Sequence, residues 1–296
     1  MGILIDQQTT VLVQGITGKE GQKAAEAMLA YGTNVVGGVR PGKGGEEVLG
    51  KPVFNTVREA VDAIPGITVS TIYVPPFAAK AAIMEAIDAN IPHINTIVER
   101  IPIKDTAYCL AAAKEKGIQI IGPSSLGYIT PGVGRIGVVG GIKVDEVFTP
   151  GSIGIISRSG GMTNEVSWQM RKAGMGQSTA VHVGGDLLMG TTYADLLLLF
   201  EKDFQTNAVA IFGEHGGSYE FEIVDVIVNK EFTKPLAVYV GGKFANVLPE
   251  GMNIGHAGAI VERGKGAKEK EAALADVGVM IAERYEDLVE LVQPFS

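Results

Sequence analysis

The chain has one cysteine, Cys109, and one tryptophan in 296 residues. A disulfide framework is therefore excluded, and so is a cysteine-rich metal site. There are only four histidines, which leaves few candidates for imidazole chemistry. No apolar run reaches the ~18 residues that would suggest a membrane span. The opening, MGILIDQQTT, has no basic segment and carries Asp6, so it does not read as a targeting leader. A cytoplasmic enzyme is the default expectation, and a mature organellar protein would have the same character. Lysine and arginine number 25 against 33 acidic residues, a formal charge of −8. That balance argues against bulk nucleic-acid binding while leaving room for a local basic patch.

Glycine, in contrast, is abundant, with 40 residues, roughly twice its average share of ~7%. No three-residue period accompanies it, so a collagen-like chain is excluded. The glycines cluster between apolar runs, at Gly37-Gly38, Gly44-Gly45, Gly160-Gly161, Gly184-Gly185 and Gly216-Gly217. Such clusters suggest loops where backbone must approach something closely. With 46% hydrophobic and 20% charged residues, the chain can bury a large core and fits about two domains at ~150 residues each.

Strand and helix patterns alternate along the chain. Residues 9–15, TTVLVQG, read as a buried strand, and 19–31 as an amphipathic helix with Ala25, Met28 and Leu29 at helical spacing. Strands at 34–39, 69–74, 93–98 and 118–122 alternate with helices at 78–89 and 103–117. A second series follows: strands at 152–157, 178–183, 207–213, 235–241 and 257–261, with helices at 162–174 and 192–203 and two more near the C-terminus. The expectation is an α/β chain of two doubly wound domains, 1–125 and 151–296. Residues 126–150, rich in proline and glycine, would form the interdomain crossing. Ligands are expected at the carboxyl ends of the strands.

The first glycine loop, Gln14 to Gly21, follows a strand and opens a helix, a context that lets backbone N–H groups hold an anion. Its spacing is not the dinucleotide GxGxxG. No acidic residue follows the second strand, where a NAD site would need one for the ribose hydroxyls. Arg40 and Lys43 stand there instead and favour an extra phosphate, as in NADP or coenzyme A. Gly45 to Pro52 nearly matches a P-loop, but Pro52 replaces the hydroxyl that would hold magnesium, so no ATP site is expected.

In the second half, Ser157 to Glu165 is again a strand, a glycine turn and a helix start. Gly213-Glu214-His215-Gly216-Gly217 repeats that context, and Gly255-His256-Ala257-Gly258 sets a histidine among small residues. His93 and His182 lie in apolar strands and read as structural; His215 stays undecided. A nucleophilic histidine needs a neutral ring, an orienting carboxylate and an anion cradle for the phosphorylated product. His256 is the candidate, with Glu214 as its carboxylate. Glu214 reads equally well as a helix-terminal glutamate favoured by the dipole.

Together, QGITGKEG, VVGGVRPGKGG, LGKPVFNTVREA, VPPFAA, SRSGG, GQSTA, GGD, GEHGG and GHAGAI resemble the alpha subunits of the succinyl-CoA synthetase family over nearly the whole chain. The resemblance implies an N-terminal Rossmann-like domain that binds coenzyme A, with Thr17, Gly18, Lys19, Glu20, Lys43, Ile97, Val98 and Glu99 at its contacts. It implies a C-terminal flavodoxin-like domain in which His256 is phosphorylated and Glu214 supports it. The helix start at Ser159, Gly160 and Gly161 would hold phosphate or acid. ATP or GTP, with magnesium, would bind an ATP-grasp beta subunit, as αβ or α2β2. No membrane, nucleic-acid or resident-metal role is implied for this chain.

Some positions depart from the family pattern. Gly122-Pro123-Ser124-Ser125 replaces a Gly-Pro-Asn-Cys run, and Gly161 and Asn164 stand where threonine and tyrosine are usual. Residues 136–151 look a few residues longer than usual. The Gly-Gly-Met helix start and Gly140-Gly141 look more like ATP-citrate lyase and citryl-CoA synthetase. Gly161 would make room for a bulkier acid, and Asn164 would supply amide hydrogen bonds to it. Succinate leads among the expected substrates, with citrate or malate as the alternative. An NAD(P)-dependent oxidoreductase and a non-catalytic CoA sensor are more distant readings.

Overall fold

The computed structural model describes residues 2–296, except the side chain of Asn246. In the first half the elements are β1 (Thr10–Gln14), α1 (Lys19–Ala30), β2 (Asn34–Val39), β3 (Glu47–Val48), β4 (Lys51–Phe54), α2 (Val57–Ala63), β5 (Val69–Ile72), α3 (Pro76–Asp88), β6 (His93–Thr96), α4 (Ile103–Glu115) and β7 (Gln119–Ile121). They build a seven-stranded sheet in the order β3-β4-β2-β1-β5-β6-β7. It is parallel except for the short β3–β4 pair.

The second half contains β8 (Gly127–Thr130), β9 (Gly134–Gly137), α5 (Val144–Val147), β10 (Pro150–Ser157), α6 (Gly160–Lys172), β11 (Gln177–His182), α7 (Tyr193–Lys202), β12 (Ala208–Gly213), α8 (Tyr219–Val228), β13 (Leu236–Val240), α9 (Ala267–Asp276), β14 (Met280–Ile281) and α10 (Asp287–Val292). Its sheet runs β14-β13-β12-β10-β11-β8-β9. The fold is thus two α/β units with largely parallel sheets.

Local chemistry explains many of the boundaries. The Thr56 hydroxyl accepts the Glu59 N–H to start α2, and Thr192 with Asp195 forms a reciprocal capping box on α7. Pro76 opens α3, where its missing N–H costs nothing. Gly15 takes φ +84°, and a β-carbon there would collide with the Tyr73 carbonyl. Only glycine turns the chain from β1 toward α1 at that spot.

Two expectations need correction. Residues 126–150 do not simply cross between domains. They form the β8–β9 hairpin and α5, and the hairpin adds antiparallel to β11 as the edge of the second sheet. The pattern was hidden because the strands are short and carry glycine at the paired positions Gly127 and Gly137, both at positive φ. Residues 257–261 are not a strand. They form a loop whose N–H groups bond Gly185, His256, Gly258 and Met252 carbonyls, with one isolated bridge, Asn253 to Ile260.

The hairpin joins the two units. Met28 of α1 packs in one buried cluster with Tyr128, Ile136 and Val181. Thr33 Oγ1 donates to the Arg135 carbonyl at 2.8 Å and accepts the Arg135 N–H at 3.0 Å. Asn95 of β6 and the carbonyl of His182 in β11 meet on one hydroxyl, that of Ser125. These contacts bring the carboxyl ends of both sheets to one region, where sheets of this kind bind ligands.

Candidate functional site

Glu214 leaves the end of β12, and His256 lies in the loop before Gly258. The His256 Nδ1 stands 3.1 Å from Glu214 Oε1 and 3.0 Å from Oε2. An ionised carboxylate only accepts, so Nδ1 carries the proton and Nε2 keeps its lone pair. Two glycines permit the packing. A β-carbon at Gly185 would lie 2.6 Å from the His256 ring, and one at Gly258 would strike the Arg158 guanidinium. The bond to Glu214 raises the His256 pKa above its ordinary value. Partial burial and Arg158 oppose that rise, and Glu99 adds to it. Glu99, at the end of the first domain's β6 loop, therefore lies within electrostatic reach of His256.

Arg158 has a part that the sequence reading did not assign to it. It is almost fully buried, its Nε is 3.4 Å from Glu214 Oε2, and its Nη2 donates to the Asp186 carbonyl at 2.6 Å. Its cationic charge thus stands beside the Glu214 carboxylate. The visible signal was the arginine inside SRSGG, between the strand end and the helix cap. His182 holds this arginine's backbone. Its Nδ1 accepts the Leu126 N–H at 2.8 Å, so Nε2–H donates to the Arg158 carbonyl at 2.9 Å. Burial pushes the His182 pKa down to about 4. The ring is neutral and structural, as its apolar strand suggested.

His215 is separate from this centre. It is buried, neither ring nitrogen has a hydrogen-bond partner among the described residues, and it lines a cavity of 560 Å³ with Leu248, Val261 and Lys268. Neither Glu214 nor His256 lines that cavity.

Ser159 caps α6, its hydroxyl accepting the Met162 N–H at 3.3 Å. Gly160 follows in tight packing, where a β-carbon would collide with Leu126 and approach His182 Cε1 at 3.3 Å. Gly161 faces open space: a β-carbon there would have only Ser159 Oγ nearby, at 3.9 Å. Asn164 of α6 engages its amide oxygen within the fold. Its Oδ1 accepts the Gly140 N–H at 3.0 Å, so that oxygen pins the turn after the hairpin. The physical reason is that the Gly140-Gly141 turn, just after β9, lies against α6.

In the first unit, Thr17 is half-buried, while Gly18, Lys19 and Glu20 are exposed. Gly18 caps α1 with no side-chain hydrogen bond, which leaves the helix N-terminus open to an anion. Lys43 is exposed and pairs with Glu46 at 2.7 Å. The Lys43 loop is shaped by Asn55 Oδ1, which accepts the Gly42 and Gly44 N–H groups at 3.0 Å each. Ile97 is half-buried. The Val98 side chain belongs to the core, so only its backbone can serve a ligand. Ser124 Oγ donates to Glu99 at 3.2 Å. A cavity of 250 Å³ lies at the ends of β1, β2 and β5, lined by Gly15, Arg40, Pro41, Val74 and Pro75. Among the described residues, no cluster of histidine, cysteine and carboxylates could hold a metal ion, and no helix is long and apolar enough to cross a membrane.

Two family models match: the CoA binding domain over residues 6–100 and the CoA-ligase domain over 156–282. The chain is 44% identical to succinate–CoA ligase (ADP-forming) subunit alpha 1 of Archaeoglobus fulgidus, over 99% of this chain and 98% of that one. This chain belongs to the alpha-subunit family of CoA ligases. It is also 44% identical to the malate–CoA ligase subunit alpha of Methylorubrum extorquens, over 95% of this chain and 94% of that one. Among solved structures it superposes on ATP citrate lyase from Methanothrix soehngenii, solved with citrate and coenzyme A, with a TM-score of 0.90 at 27% identity. That match covers 99% of this chain, which spans half the length of the lyase chain. The comparisons agree with the resemblance read from the motifs, and with two units of Rossmann-like and flavodoxin-like type.

Proposed function

We propose that this chain is the alpha subunit of an acid–CoA ligase that works through a phosphohistidine at His256, with succinate as the leading substrate. One observation carries the reading. The Glu214 carboxylate fixes the proton on His256 Nδ1, which leaves Nε2 as a neutral nucleophile.

Nε2 takes the γ-phosphoryl group of ATP, and ADP leaves. The ATP and magnesium would be held by an ATP-grasp partner subunit, and the ADP-forming relatives favour ATP over GTP. The rise in the His256 pKa shows that Glu214 favours a cationic ring, as a phosphorylated imidazole also requires. A carboxylate oxygen of the acid then takes the phosphoryl group from nitrogen, giving an acyl phosphate and restoring His256. The CoA thiolate attacks the acyl carbon, phosphate leaves and the thioester forms.

The residues present suit coenzyme A. The Gly15 turn and the exposed Arg40 line the 250 Å³ cavity, the α1 N-terminus that follows the Gly15 turn is open, and Lys43 is exposed three residues beyond Arg40. Thr17, Gly18, Lys19 and Glu20 would hold its phosphates with Lys43, and the 97–99 loop would guide the thiol end toward His256. Ser159, Gly160 and Gly161 would hold phosphate or acid at the α6 N-terminus. We place the enzyme in the cytoplasm.

A second substrate reading, malate or citrate, is favoured by the open space at Gly161 and by the malate-specific name of one relative. Co-purification with the partner, labelling with [γ-32P]ATP and a thioester assay over succinate, malate and citrate test both readings. The expected result is acid-labile, base-stable label on the wild type and none on His256→Asn. Full label on His256→Asn, or none on the wild-type complex, overturns it. The assay ranks the acids.

A further inference from the structure

We infer that Glu220 and Lys270 are positioning residues that clamp the backbone of Glu214 and so fix its carboxylate against His256. The inference rests on the roles proposed above for His256 and Glu214.

Both side chains are fully buried, at 0% exposure, and pair at 2.5 Å. Glu220 lies in the first turn of α8, and Lys270 near the start of α9. Glu220 Oε1 accepts the Glu214 N–H at 3.0 Å. Lys270 Nζ donates to the Glu214 carbonyl at 2.7 Å, the Gly216 carbonyl at 2.6 Å and Glu220 Oε2. The ammonium has three protons, and each has an acceptor. Both backbone polar groups of Glu214 are thus held by one ion pair. Gly213 admits the carboxylate, since a β-carbon there would lie 2.9 Å from Glu220 Oε1.

Stability alone does not account for this arrangement. Removing two charges from water generally offsets what their pairing returns, and an apolar pair of similar size is often as stable. Here the remaining bonds all go to residues 214–216, the segment that carries the orienting carboxylate. Arg158 and His256 hold the carboxylate at its tip, while the clamp holds its root. A catalytic group needs such support, because a displacement of about 1 Å can cost ~100-fold in rate.

The test uses the complex with the partner subunit and two variants. The double substitution Glu220→Gln with Lys270→Met keeps an acceptor for the Glu214 N–H and removes both buried charges together. Lys270→Arg keeps the charge but replaces the compact ammonium with a planar fork. Two quantities are read: the rapid-quench rate of His256 labelling by [γ-32P]ATP, and the His256 titration midpoint by NMR on 13C-histidine protein. Four histidines make the His256 signal assignable with His256→Asn.

Both variants are expected to bind CoA within about twofold of wild type. Labelling should slow about 10- to 100-fold, and the His256 midpoint should fall toward that of Glu214→Gln. Wild-type rate and midpoint in both variants overturn the clamp. Failure of the wild type to label at His256 overturns the phosphohistidine reading instead, and the NMR midpoints still decide the clamp. If the double variant loses CoA binding or its native circular dichroism, Lys270→Arg carries the test through the same two readouts.

Discussion

His256 adds to the lowering of the His182 pKa, yet its own pKa moves in the opposite direction. His256 is raised by its bond to Glu214. The stabilisation from that pair is complete below the ordinary histidine value of about 6.5 and is lost as pH rises through the raised native value. Reactivity runs the other way, because attack needs a neutral ring. The labelling rate should therefore climb with pH, with a midpoint above 6.5, and Glu214→Gln should lower both the rate and the midpoint. An unchanged midpoint in a pH series of single-turnover labelling rules out Glu214 as the cause. His182 is lowered to about 4 by burial. Its contribution is complete above the unfolded value and is lost as pH falls from 6.5 toward 4. Between pH 7 and 5 that amounts to about 2 kcal/mol. His182→Gln offers a donor and an acceptor without titrating. Its unfolding free energy should fall less over this interval than the wild type's, as urea titrations at the two pH values would show; equal falls would refute this account of His182.

At the scale of elements, the glycine loops were the legible part. β1, its turn and α1 follow from an apolar run ending in a glycine that only a left-handed backbone can use, and the start of α6 follows from Ser159-Gly160-Gly161. The β8–β9 hairpin was not legible, because its strands hold few apolar residues and owe their pairing to β11. Residues 257–261 have the apolar character of a strand, but Gly258 must reach the Gly185 carbonyl at 3.1 Å, and that contact bends the chain into a loop beside Arg158. The Glu214–His256 pair was readable as residue types set in glycine loops. Lys270 was not, because a lysine in the helical run AKEKEAAL looks solvated until α9 is packed against β12's loop. The hairpin also separates two roles that seemed joined at the α6 start. Asn164→Ala would leave the buried Gly140 N–H without its acceptor, at a cost of about 1–3 kcal/mol, while leaving the ranking of acids intact. Gly161→Thr enters open space, so the melting temperature should hold while the ranking shifts toward the smaller acid. A melting curve and a thioester assay on each variant separate them; a changed acid ranking in Asn164→Ala with unchanged melting would return Asn164 to the substrate site.

For the whole molecule, the joint between the units is a sheet edge covered by a side chain. β9 ends the second sheet, and an edge strand presents unpaired N–H and C=O groups. At Arg135 both groups are taken by the Thr33 hydroxyl, from the turn between α1 and β2. Arg135 then reaches forward, its Nη1 donating to the Gly141 carbonyl at 2.8 Å, next to the Gly140 that Asn164 holds. The CoA-binding unit is thus tied, through β9 and its turn, to α6, whose N-terminus is the proposed site for the acid. Thr33→Val keeps the shape and removes the hydroxyl, leaving two buried backbone groups unpaired. The expected cost is about 2–4 kcal/mol, a fall of about 3–6 °C in Tm at the sensitivity of a chain this size. Loosening this joint should disturb the approach of the 97–99 loop to His256 more than it disturbs Glu214, whose supports all lie in the second unit. His256 labelling by ATP should therefore stay close to the wild-type rate while thioester formation slows. Rapid-quench measurement of both steps in the complex checks this. Equal slowing of the two, or an unchanged Tm, would mean that Thr33 does not hold the CoA-binding unit in register with the phosphohistidine.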